Sequence, residues 1–175
     1  MPPTVIETIH RHLTDRGWAL LPLRVMVGFG FAAHGYAKLV RGPEAFAAVV
    51  AAMGMPAPTT VAWATLLIEL IGGVALIAGA AVVPTVVPLC AIMVTAMIGV
   101  HLPYGFSSIK LKALSASGAE FGPPGYELNL VYIAALVTLA LAGSSALSID
   151  RLLERRKRRL SSHFGDVRNA QVTRP

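Results

Sequence analysis

The run TVAWATLLIELIGGVALIAGA at Thr60–Ala80 is followed, after Ala81, by VVPTVVPLCAIMVTAMIGVH at Val82–His101. Between Thr60 and Val100 the only formally charged residue is Glu69. A helix crosses a ~30 Å hydrocarbon layer with about 20 mostly apolar residues, and each run has that length. Neither run alternates with period two, and an open sheet would leave backbone groups unsatisfied in lipid. The stretch therefore reads as a tight hairpin of two membrane helices. Pro84 stands in the first turn of the second, where a missing N–H costs nothing. Pro88 and Gly99 lie within that helix, where they bend it or admit a neighbouring backbone.

Two further runs complete the pattern, one from about Trp18 to Val40 and one from about Leu128 to Leu147. Of the 175 residues, 55% are hydrophobic and 14% charged, against roughly 45–50% and about 25% in soluble domains. The mean hydropathy is +0.65. The expected fold is all-α: an integral membrane four-helix bundle over residues 18–150, between an N-terminal segment at 1–17 and a basic tail at 151–175. Glu44–Met53, in the first loop, reads as an interfacial helix. The second loop, Leu102–Glu127, is long and glycine-rich.

Orientation follows from Lys and Arg near the span ends. With both termini cytoplasmic, Arg11, Arg16, Arg151, Arg155, Arg156, Lys157, Arg158, Arg159, Arg168 and Arg174 lie inside, against Lys38, Arg41, Lys110 and Lys112 outside. The Arg155–Arg159 run directly follows the last span, where anionic lipid attracts it at about 1 kcal/mol per residue. The net charge of +6 comes largely from this tail, so a nucleic-acid partner is not expected. Met1–Gly17 is polar and does not read as a signal peptide.

Ionisable residues within a span cost at least ~2.5 kcal/mol each and usually face the bundle interior. Arg24, Gly28, Phe31, Gly35 and Lys38 share one face of the first helix, and Glu69, Gly72 and Leu76 form a similar stripe on the second span. Arg24 and Glu69 are expected to pair across the bundle as a buried ion pair. His34, Lys38, His101 and Glu127 are expected to ring the outer mouth under the second loop. There they would bind a quinone or another small amphiphile, with the histidines bonding or moving protons. The competing reading is that these groups snorkel to headgroups. Two histidines do not by themselves specify a haem, which is disfavoured. His10, His12 and His163 fall on polar tails.

Cys90 is the only cysteine, which excludes an internal disulfide and paired-cysteine metal sites; no metal centre is expected. Gly28-Phe29-Gly30 lacks the strand and crossover helix of a dinucleotide site, and its glycines read as packing residues.

Read in order, the polar segments resemble the DoxX-like membrane proteins. They are RVMVGFGFAAHGYAKL at Arg24–Leu39, GMPAP at Gly54–Pro58, ELIGG at Glu69–Gly73, HLPYGF at His101–Phe106, GYEL at Gly125–Leu128 and LSID at Leu147–Asp150. The long second loop and the basic tail depart from the family pattern. The resemblance implies a four-helix membrane bundle of the kind labelled an oxidoreductase or its subunit, quinone-linked and acting with a partner oxidoreductase in oxidative-stress or sulfur metabolism. The Ala-rich, Arg-rich composition suggests a bacterial plasma membrane location. Other members look like scaffolds or assembly factors, so a non-enzymatic protein that binds a client or a small molecule is the alternative. A homo-oligomer is compatible with either, and the chain carries no evident redox centre of its own.

Overall fold

The computed structural model describes residues 4–7, 17–116, 118–143 and 146–158. After a short 3₁₀ turn at Trp18–Leu20, α1 runs Leu21–Arg41, α2 Pro43–Ala52, α3 Pro58–Ala78 and α4 Val82–Ala96. The chain continues from α4 through a π-helical turn at Met97–His101 and a 3₁₀ turn at Leu102–Tyr104. A β-hairpin follows, β1 Leu111–Ser115 against β2 Gly118–Phe121, then α5 at Glu127–Ala142. A last helix, α6, covers 149–158.

Prolines open α1, α2 and α3 in the first turn, where the donor they lack has no intrahelical partner. Gly79, at φ 65°, ends α3 in the left-handed region, and Ala81 at φ 49° turns the chain straight into α4.

Helix α1 lies antiparallel to α3 at backbone contact. A Cβ on Gly28 would meet the Gly73 carbonyl and Ile77, one on Gly35 would meet the backbone of Leu70, and one on Gly73 would meet the backbone of Ala32. The contacting numbers sum to about 105 throughout, which fixes the register of the pair. Val27, Phe31, Leu76, Val86, Leu89, Leu136 and Leu139 form the main core among α1, α3, α4 and α5. Phe31 meets Tyr132 of α5 edge to face, with ring centroids 5.3 Å apart. A smaller cluster of Ala47, Val50 and Ala62 seats α2 on the first half of α3.

The outer surface of the bundle is apolar: Phe29, Ile71, Val87 and Leu141 are all exposed. So many large apolar side chains left exposed on the bundle helices belong against lipid. Among the described residues, Pro58–Ala78 and Val82–Tyr104 are the two helices long and apolar enough to cross a membrane. α1 has 21 residues but carries Arg24, Lys38 and Arg41, and α5 has only 16.

Three details differ from the sequence reading. The second loop contains the β-hairpin, so the fold is not purely helical; its strands are exposed on every residue and leave no apolar run to announce them. The fourth apolar segment ends as a helix at Ala142, because Gly143 takes φ 74°. Helix α6 starts at 149 and so straddles the boundary drawn at 150/151. His10, His12, His163 and the basic residues beyond Arg158 lie outside the described residues.

Candidate functional site

The α1–α3 register decides which charged residues meet. Glu69 stands 11 residues after Pro58 and 9 before Ala78, hence ~16 Å and ~14 Å from the two ends of α3. A sum near 105 puts it level with residues 36–38 of α1. Lys38 Nζ accordingly donates to Glu69 Oε2 as an ion pair, with Glu69 nearly fully buried and Lys38 mostly so. The ammonium also lies 4.6 Å from the centroid of the Phe46 ring of α2, a favourable cation–π arrangement.

The expected Arg24–Glu69 pair does not form. Arg24 is level with the end of α3, roughly 21 Å along α1 from Lys38 at 1.5 Å per residue, beyond the reach of any side chain. Its guanidinium, only 2% exposed, donates instead to carbonyl oxygens. Nη2 reaches Leu147 at 3.0 Å and Ile77 at 3.4 Å, and Nη1 reaches Ala146 at 3.4 Å. A Cβ on Gly79 would collide with this guanidinium.

Beside it Asp150 caps α4, accepting from Ala81 N at 2.8 Å and Val82 N at 3.0 Å, while Asp150 N donates to Gly79 O at 3.0 Å. Ala81 and Leu147 are non-glycine residues held at positive φ, a conformation that costs roughly 1–2 kcal/mol each. Arg24 and Asp150 supply the hydrogen bonds that hold them there. Asp150 and the Leu147 carbonyl, both of the LSID segment, thus belong to a polar latch joining α1, α3, α4 and α6, while Ser148, 1% exposed, accepts from Arg151 N at 3.2 Å at the start of α6.

The four residues expected at the outer mouth divide into two groups. Lys38 is drawn inward to Glu69, and His34, one turn earlier on the same flank of α1, is exposed on the outside of the bundle. His101 and Glu127 tie down the second loop. His101 Nδ1 lies 3.0 Å from Pro124 O, and Glu127 Oε2 accepts from Ser108 N at 3.0 Å. Gly125 passes so close to the Gly105, Phe106 and Ser107 carbonyls that no side chain fits there.

Asn129 was not singled out by the sequence reading. It is buried in α5 and donates from Nδ2 to Met93 O at 3.3 Å. A lone amide in an apolar helix was its only signal. No group of three or more His, Cys, Asp or Glu side chains that could hold a metal occurs among the described residues.

Residues 19–102 match the DoxX family model. No curated relative and no solved structure matches the chain.

Proposed function

We propose that this chain, whose residues 19–102 match the DoxX family model, is a DoxX-family four-span membrane subunit of a redox system. In this reading both termini are cytoplasmic and the membrane is the bacterial plasma membrane. The subunit binds a quinone and acts with a partner oxidoreductase in oxidative-stress or sulfur metabolism. The observation that carries the reading is the Lys38–Glu69 pair, set halfway along an apolar helix.

Charges at such a depth cost several kcal/mol and mark substrate or proton pathways when they occur. Reduction of a quinone takes up protons as well as electrons, and an ammonium–carboxylate pair can donate or accept a proton beside the ring oxygens. His34 offers a further hydrogen-bonding group on the same flank, facing the lipid through which a quinone diffuses. These residue types fit a quinone's two carbonyl oxygens. Cys90 alone cannot hold an iron–sulfur cluster, so electrons come from the partner.

The test is extraction in mild detergent followed by mass spectrometry and reduced-minus-oxidised absorbance of what remains bound. The reading expects quinone near one per chain with a redox-dependent spectrum. An empty bundle overturns it.

A second reading, a scaffold or assembly factor, is favoured by one observation: His101 and Glu127 each bond the second loop through one side-chain atom. A loop tied down at both ends suits recognition of a client protein. Co-purification of a stoichiometric client without quinone would select this reading.

A further inference from the structure

At the end of the bundle that carries the latch, a cleft of about 420 Å³ opens between the start of the membrane domain and α6. It is lined by Trp18, Ala146, Leu147, Ser148, Arg151, Leu152 and Arg155. Arg151 and Arg155 stand one turn apart on α6 and therefore project from one side of it. Leu147, Leu152 and the Trp18 ring supply the apolar part of the lining, and each is at least partly exposed. Of the two carboxylates on α6, Asp150 is turned away into the cap of α4, and Glu154 stands next to Arg155 in sequence.

Helix α6 is itself amphipathic. Ile149, Leu152 and Leu153 are exposed apolar residues at the spacing of one helix face, which Arg156 joins near the end, while Asp150, Arg151, Glu154, Arg155, Lys157 and Arg158 take the remaining side. A helix of this composition lies in the plane of a membrane surface, apolar side down, with its basic residues at the headgroups. The cleft then opens at headgroup depth, where tryptophan is also enriched.

We propose that this cleft is a binding site for one anionic phospholipid, its phosphate between Arg151 and Arg155 and its acyl chain against Trp18, Leu147 and Leu152. The proposal does not depend on the redox reading, because it uses none of Lys38, Glu69 or His34. Two guanidiniums on one side of an apolar slot match a ligand that has an anionic head and a hydrocarbon body. A free anion would leave the apolar part of the slot against water.

The chain has two tryptophans, so Trp63→Phe leaves Trp18 as the sole fluorophore. This variant is reconstituted in phosphatidylcholine vesicles, and increasing fractions of phosphatidylglycerol or phosphatidylcholine with brominated acyl chains are added. Quenching by the phosphatidylglycerol is expected to saturate at a mole fraction about tenfold lower than for phosphatidylcholine. Arg151→Gln with Arg155→Gln removes that preference, whereas Arg156→Gln with Lys157→Gln, the same loss of charge outside the cleft, keeps it. Equal quenching by the two lipids overturns the proposal. So does equal loss in both double variants, which means a diffuse basic surface. Displacement of the quencher by millimolar inorganic phosphate also overturns it, since the site then takes a soluble phosphate rather than a lipid.

Discussion

Lys38, in the last turn of α1, is held by Glu69 at the middle of α3, and the ammonium of the pair also rests on the Phe46 ring. The pair follows from close packing. Gly28, Gly35 and Gly73 let α1 and α3 approach until backbone meets backbone, and the register so fixed leaves Lys38 as the cation that can reach Glu69.

Removing one partner leaves an uncompensated charge in an apolar bundle, a loss of about 3–5 kcal/mol for buried pairs. Lys38→Met and Glu69→Leu should each destabilise strongly in thermal or denaturant unfolding in mild detergent. The double variant should be less destabilised than the sum of the two. Simple additivity would show that the two side chains are not coupled.

Arg24 and Glu69 provide the matching control. They stand at different levels and share no partner in the structure, so their substitutions should add within ~0.5 kcal/mol. Arg24→Ala alone should be costly, because the Ile77, Ala146 and Leu147 carbonyls lose their donor. Arg24→Lys should not restore stability fully, since one ammonium cannot reproduce the fork geometry.

Neighbouring glycines should differ sharply. A Cβ on Gly73 overlaps the backbone of Ala32, whereas one on Gly72 meets only the side-chain tips of Thr85 and Leu89, at 3.3–3.4 Å. Gly73→Ala should cost about 1–3 kcal/mol as overpacking, and Gly72→Ala clearly less. Comparable losses at both sites would contradict the α1–α3 contact.

Asp150→Ala removes the acceptor for two backbone donors at the start of α4. A loss of about 0.5–2 kcal/mol is expected for a cap of this kind, with faster amide hydrogen exchange at Ala81 and Val82. Unchanged exchange there would remove the capping role.

The helices, their small-residue faces and the burial of Arg24 and Glu69 were readable because lipid imposes length and composition on a span and makes a buried charge costly. Which charges pair was not readable. Depth counted from span ends assumes equal, straight spans, but α1 stops at Arg41 while α3 continues past it, its first half covered by α2 instead. That offset moves Lys38 from the mouth to the middle of α3 and Arg24 from the middle to the end. The β-hairpin had no signal, since its exposed residues carry no buried face. The roles of His101 and Glu127 in closing the second loop depend on backbone partners, Pro124 O and Ser108 N, which no residue pattern specifies.

The most direct test compares quinone retained after mild-detergent purification by the wild-type protein, by the Lys38→Met/Glu69→Leu double variant and by His101→Ala. The account predicts near-stoichiometric quinone in the wild type and in His101→Ala, and a folded but empty double variant. Retention unchanged in the double variant, or no quinone in any of the three, would contradict it.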